Sequence, residues 1–539
     1  MMVVDSANLS DMRKLFVTVQ AAILYVACTC LSSCANNDNS GEIVSPTEPD
    51  KSIVILFESD SHCELSGYPK LAGLRDAINR SDTAWAGAVC CGDFVQGGAV
   101  GAVSKGQYVV DIMKAVGYDA VTLGNHEFEF GGPNMTALME QLKPSVVCAN
   151  FFIHGESKAY YPAYIIRTYG NKRVAFVGVL TPETMVTQKF AFFDDQGQQL
   201  YDLKGDGLEA QVQQAVDEAR EEGADYVVML SHVGEKSNLT LNSHDLIKGT
   251  RGIDVVLDGH THSSVPHVWV ENLDGKPVLV SQSGNKFKHI GKLVIKPNGE
   301  LSTSLLPTAE ISETSAAVTK VLETVQTQVT VQTSKVVCHS GYPLIALGED
   351  KYALSTKCET SIGDLVTDAY REFFDADIGL QSGNTLSYDI AAGDIRRQDL
   401  LSLLPFEDQI VFIEVKGDLL LETLVRCTKG LPNFNVYFPQ CSGLQYTVHQ
   451  KSNTVTDVKV LDRESGEYLP LDPEKTYKVS LSELYSSIGY YGLMKDCKVI
   501  KSTSDTIRDA LEQYLVSVLK GELGDAYKQS QGRITILDD

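Results

Sequence analysis

Through the first half of the chain, short apolar runs alternate with helix-length amphipathic stretches. The runs are Ser52–Ser59 (SIVILFES), Trp85–Cys91, Tyr118–Leu123, Tyr226–Leu230 and Ile253–Leu257, with Val174–Leu180 as one more, and Leu208–Glu222 has the 3.6-residue pattern of a helix. Runs of this length with helical stretches between them predict parallel strands. Repeated over residues 52–310, the pattern predicts a layered α/β sandwich. Near Ser312–Lys335 the chain turns polar, with Thr, Val, Glu and Gln and no Gly or Pro, and predicts a connecting helix over 311–335. A second, smaller α/β region occupies 336–539, with a helix expected over Leu354–Phe374 and a strand over Ile378–Gln381.

The residues that end the strands matter more than the strands. The first run leads into Asp60-Ser61-His62, the second into Gly92-Asp93, the third into Gly124-Asn125-His126-Glu127. The later two lead into Ser231-His232 and Asp258-Gly259-His260-Thr261-His262. Open α/β sheets place ligand chemistry at the carboxyl ends of their strands. Seven oxygen and nitrogen donors (Asp60, His62, Asp93, Asn125, His232, His260 and His262) are thereby expected at one edge, enough for two cations. Thr181-Pro182-Glu183, after Val174–Leu180, carries no obvious ligand.

Mixed carboxylate and imidazole donors suit zinc, manganese or iron better than calcium or magnesium. If the first strand continued, Asp60 and His62 would share a face. Asp93 is the natural bridging anion between two ions, and Asn125 adds a neutral oxygen. His126 is expected over the site rather than in it, as a donor to a phosphate oxygen or to the leaving group, with Glu129 orienting its ring. Two ions about 3.5–4 Å apart would clamp the attacking and leaving oxygens of a phosphoryl transfer and supply hydroxide at neutral pH for in-line attack on phosphorus. His154, His244, His267 and His339 lack such context.

Composition narrows the partners. The 539 residues carry a net charge of −24, with 43% hydrophobic and 22% charged residues. That length exceeds one core, and that charge argues against a nucleic-acid partner. Bound divalent cations would reverse the local sign for an anionic substrate. At the N-terminus, Met12-Arg13-Lys14 and the apolar Leu15–Ala27 resemble an export signal over residues 1–34, with translation starting at Met1 or Met12. Leu31-Ser32-Ser33-Cys34 resembles a bacterial lipoprotein cleavage box. It implies a lipid on Cys34, a polar tether over 35–51 and a membrane-anchored protein in the periplasm or at the cell surface. Nine of the twelve cysteines come after this region. Cys90 and Cys91 are expected as buried packing, and disulfides among Cys338, Cys358, Cys427, Cys441 and Cys497 are permitted outside the cytoplasm.

The motifs Asp60-Ser61-His62, Gly92-Asp93, Gly124-Asn125-His126-Glu127, Ser231-His232-Val233-Gly234 and Gly259-His260-Thr261-His262 resemble, in order and spacing, the calcineurin-like metallophosphoesterases of the 5′-nucleotidase family. The resemblance implies that Asp60, His62, Asp93 and His262 hold one ion. Asp93, Asn125, His232 and His260 would hold the other, and His126 would be the catalytic histidine. Glu129 stands where the family has an aspartate, and Cys63 where it has a glycine. In the second half, Ile362-Gly363-Asp364-Leu365, Ala391-Ala392-Gly393-Asp394-Ile395 and Leu403-Leu404-Pro405-Phe406 resemble the family's C-terminal nucleotide-binding domain. Phe406 and Tyr491 would sandwich a base, and Asp496 would approach a sugar or base edge.

Departures accompany the match. Ser382-Gly383-Asn384-Thr385-Leu386-Ser387 replaces an Asn-Gly-Gly-Gly-Ile-Arg loop, and a further family arginine falls near Thr356. A hydroxyl does not replace a bidentate guanidinium. The expected activity is hydrolysis of nucleoside monophosphates or related phosphate esters. The competing readings are a cyclic-nucleotide phosphodiesterase or UDP-sugar pyrophosphatase with the same metals, and a non-catalytic surface nucleotide-binding protein.

Overall fold

A computed structural model describes residues 51–194, 196–235, 241–349, 353–487 and 489–539. The signal, Cys34 and the tether up to Asp50 lie outside them. Beside a small pair, Phe151–Ile153 and Tyr201–Leu203, two large sheets form the sandwich of the first half. One has the strand order Leu301–Pro307, His289–Ile295, Ser52–Glu58, Ala84–Cys90, Ala120–Val121. The other runs Ser264–Glu271, Pro277–Ser283, Val255–Asp258, Tyr226–His232, Lys172–Leu180, Tyr164–Tyr169.

The continuous apolar runs arise from burial on both faces of each sheet. Ile53, Ile55 and Phe57 meet Phe176, Val228, Leu230 and Leu257 between the sheets. Val54 and Leu56 point the other way, into a core shared with Leu71, Met113 and Met135. On the second sheet, Val177, Val227, Met229 and Val256 face Val212, Val216 and Leu246 of the helices Leu208–Glu221 and Ser243–Gly249. The layers are therefore helix, sheet, sheet, helix.

Two local expectations are corrected. The third strand is only Ala120–Val121, and the second-half helix is Ser361–Phe373 rather than Leu354–Phe374. Thr360 sets that start, because its side chain accepts from Gly363 N and so caps the first turn. The connecting helix is Ala316–Thr333 and packs on both halves. Its Val318 and Val325 are buried in the first half's core, and its Gln332 accepts from Arg397 Nη1 (2.9 Å) of the second half.

The second half is built on the sheet Pro439–Ser442, Ile378–Ser382, Thr476–Ser482, Gln409–Lys416, Lys498–Thr506. Buried charge there is paired. Arg508 Nη2 reaches both Glu407 oxygens at 2.6 Å, and Arg533 Nη2 both Asp368 oxygens at 2.8 Å. Among the described residues the nine cysteines are all free, so the permitted disulfides are not formed. Cys90 and Cys91 are wholly buried.

Candidate metal centre

The parallel strands Ser52–Glu58, Ala84–Cys90 and Ala120–Val121 of one sheet, and Tyr226–His232 and Val255–Asp258 of the other, end at one edge of the sandwich. There Asp60, His62, Asp93 and His262 each present a ligand atom within 4.8 Å of the others, and Asp93, His232 and His260 form a second such set. Asp93 belongs to both. His260 Nδ1 lies 3.0 Å from Asn125 Oδ1, which brings Asn125 to the second set. All seven residues expected as ligands thus converge.

How they converge differs from the sequence expectation. The first strand stops at Glu58, so strand alternation does not align Asp60 with His62. Instead the backbone turns left-handed at Asp60 (φ 53°), His62 (φ 44°), Asp93 (φ 60°), His260 (φ 76°) and His262 (φ 56°). Each such non-glycine residue costs on the order of 1–3 kcal/mol and persists only where its surroundings hold it. Here the holding bonds are specific. Asp60 N donates to Gly92 O (2.9 Å) and His62 N to Asp93 O (3.0 Å). The buried Glu127 carboxylate accepts from Asp93 N (2.9 Å), Phe94 N (2.8 Å) and Val95 N (3.2 Å). Glycine is required where the loops touch: a Cβ on Gly124 would lie 2.2 Å from Asp93 Oδ1, and one on Gly259 would lie 2.7 Å from His232 Nδ1.

The donors are arranged for cations. His232 Nδ1 donates to Cys91 O (2.6 Å) and His62 Nδ1 to Gln96 Oε1 (3.0 Å), which turns each Nε2 toward the cluster, as a metal-ligating histidine needs. His232 Nε2 sits 3.0 Å from Asp93 Oδ2, yet it is buried without a hydrogen-bond partner, as is Asp60 Oδ2. Buried polar atoms are otherwise almost always bonded, so these orphans fit a site completed by ions.

The protein's own charges point the same way. Burial opposes ionisation of Asp93, but the imidazoles of His232 and His126 hold it well below the usual carboxylate range. Burial would lower His232, while Asp93 raises it to about 10. Burial pushes Asp60 up to about 7, and lowers His62 and His260 to about 4. A metal ligand must be deprotonated, so ions at Asp60 and His232 would compete with protons there.

His126 faces the same space, its ring centroid 5.2 Å from that of His62. Its Nδ1 lies 2.8 Å from Glu129 Oε2, so the glutamate reaches the imidazole despite its extra methylene. Burial would lower His126, but Asp93 and Glu129 raise it to about 9. Three groups here carried no sequence signal. Glu183, which no ligand motif marks, has Oε2 3.4 Å from His260 Nε2. Gln188 Nε2 donates to Glu129 Oε2 (3.1 Å), and Gln409 Nε2, from the second half, donates to Glu129 O (3.0 Å).

Phe406, Tyr491 and Asp496 lie in the second half and make no hydrogen bond or ring contact with this cluster among the described residues. Phe406 is 55% exposed and Tyr491 53%, so neither is a core aromatic. Tyr491 packs on Tyr437 (centroids 4.6 Å apart), and Asp496 is exposed in the turn before Lys498–Thr506. At the departures, Ser382 Oγ donates to Val436 O, Thr356 Oγ1 to Ala353 O and Ser387 Oγ to Thr385 O. Those hydroxyls serve the backbone.

Two donor sets that could each hold a cation share Asp93 at the strand ends of this sandwich, an arrangement suited to a metal-dependent phosphoester hydrolase. Family models agree: calcineurin-like phosphoesterase matches residues 53–264, and 5′-nucleotidase, C-terminal domain, matches residues 347–493. The chain belongs to the calcineurin-like phosphoesterases that carry a 5′-nucleotidase C-terminal domain. It is 24% identical over 494 residues to the trifunctional nucleotide phosphoesterase protein YfkN of Bacillus subtilis, covering 81% of this chain but 32% of that protein. It is 25% identical over 445 residues to snake venom 5′-nucleotidase of Naja atra, covering 73% and 79% of the two chains. The crystal structure of a 5′-nucleotidase precursor from Thermus thermophilus shares the fold, with a TM-score of 0.54, 22% identity and coverage of 90% and 100%.

Proposed function

We propose that this protein is an exported phosphohydrolase that releases phosphate from nucleoside 5′-monophosphates or related phosphate esters. The observation that carries the reading is Asp93 shared between two ligand sets, with His126 facing the same space. Asp60, His62, Asp93 and His262 would hold one ion, and Asp93, Asn125, His232 and His260 the other; the oxygen–nitrogen donor mix favours zinc, manganese or iron. When bound, the ions would activate water and neutralise phosphate charge. His126 donates a proton to the leaving oxygen, while Glu129 holds its ring through Nδ1. The catalytic domain spans 52–310, the connecting helix lies within 311–335, and the substrate-binding domain spans 336–539. Phe406 and Tyr491 stack on the base and Asp496 meets the sugar or base edge. The exposure of both rings supports this, since a stacking platform must be open. Export and a lipid on Cys34 rest on the N-terminal sequence.

The serines at Ser382 and Ser387 favour a second reading on the same metals, a phosphodiesterase or pyrophosphatase acting on cyclic nucleotides or UDP-sugars, because a guanidinium grip on a terminal phosphate is missing. A panel of AMP, 4-nitrophenyl phosphate, a cyclic nucleotide and a UDP-sugar separates the two. The protein would be stripped with chelator and reloaded with zinc, manganese or iron. Monoester turnover should vanish on stripping and return on reloading; no turnover of any ester with any metal would overturn the proposal. Phe406→Ala should raise KM for AMP by about tenfold, the loss of one stacked base face, and leave KM for 4-nitrophenyl phosphate nearly unchanged. Equal changes would assign Phe406 to packing.

A further inference from the structure

We propose that Gln188 is a positioning residue for His126, acting through Glu129. The inference rests on the phosphohydrolase reading and assigns a role to a residue far from every metal-ligand motif. Glu129 Oε2 is shared: His126 Nδ1 lies 2.8 Å from it and Gln188 Nε2 donates to it at 3.1 Å. A carboxylate only accepts, so the Gln188 amide must turn its NH2 toward Glu129. Its other end has no return: Gln188 Oε1 is buried without a partner among the described residues. A native structure that keeps such an orphan gains something from the other half of the amide.

Glutamate has one more rotatable bond than aspartate, so Glu129 needs an additional restraint to hold His126 in one orientation. Gln188 supplies it from a fixed place. It closes the short helix Thr184–Thr187, with Gln188 N donating to Thr184 O (2.9 Å) and Ala191 N to Gln188 O (3.0 Å). Gln409 holds the other end of the same residue by donating to Glu129 O (3.0 Å). The carboxylate is thus fixed at its tip by the first half and at its backbone by the second.

The test uses Gln188→Leu, which removes the donor at similar volume, and Gln188→Asn, which keeps the amide but shortens its reach. Both are assayed on the full chain with metal, against an alkyl phosphate (2-glycerol phosphate) and 4-nitrophenyl phosphate. An alkoxide must be protonated as it leaves; a nitrophenolate needs this far less. Gln188→Leu should lower kcat on the alkyl ester by about 10- to 100-fold, the cost of a misplaced catalytic group. It should lower kcat on the nitrophenyl ester by a smaller factor, with KM and metal content kept. Gln188→Asn should fall between. Glu129→Ala combined with Gln188→Leu should be no slower than Glu129→Ala alone, because both act through one contact. In metal-free protein, the Nδ1 proton of His126 should exchange with solvent faster in Gln188→Leu by NMR. Equal losses on both esters, additive effects in the double variant, or unchanged proton exchange would each overturn the proposal. If the unmodified protein splits neither ester with any metal, the phosphohydrolase reading itself falls, and this one with it.

Discussion

Asp93→Asn should abolish hydrolysis of a generic aryl phosphate, with kcat/KM falling by on the order of a thousandfold or more, because removing the bridging charge forfeits several kcal/mol of charge stabilisation. Asp93 is the one residue in both ligand sets. Its Oδ2 lies 3.0 Å from His232 Nε2 and 3.9 Å from His62 Nε2, while its Oδ1 accepts from His126 N at 2.8 Å. An asparagine oxygen can keep the bond from His126 N but brings no negative charge between two cations. Bound metal, measured by elemental analysis, should fall together with activity. Turnover equal to the unmodified protein would remove the two-metal mechanism.

His126→Ala should separate chemistry from metal binding. His126 supplies no atom to either ligand set, so metal content should match the unmodified protein. Turnover should fall by about 10²–10⁴-fold, the usual contribution of a positioned general acid. The loss should be larger for a nucleoside monophosphate, whose alkoxide leaves poorly, than for a nitrophenyl ester. KM should move little, because the proton is given in the transition state. Loss of metal in this variant would show that His126 is a ligand and that its assigned role is wrong.

The residues of the site differ in how far the sequence alone reveals them. Asp60, Asp93, Asn125, His232, His260 and His262 stand directly after apolar runs, and a buried parallel strand delivers its trailing residues to one sheet edge. That is a local signal with a global consequence. Glu129 was legible for a similar reason, three residues from His126. Gln96, Gln188 and Gln409 were not. Gln409 is 280 residues from its partner Glu129, and a glutamine at the edge of an element has no pattern that says where its amide points. Glu183 escaped in the same way. Its strand has no ligand motif, and only the order of strands within one sheet, Lys172–Leu180 beside Tyr226–His232 beside Val255–Asp258, brings it to His260.

Sequence by itself therefore determined most of the strands, the candidate donors that gather at their ends and the likeness of both halves to known domains. Apolar periodicity and residue type are properties of neighbouring positions. Tertiary structure alone decided the left-handed turns at Asp60, His62, Asp93, His260 and His262, the carbonyl and amide groups that fix each imidazole, and the grip of Gln188 and Gln409 on Glu129. Strained backbone is held, and a buried ring is aimed, by partners from distant segments, and those partners exist only once the sheets have packed.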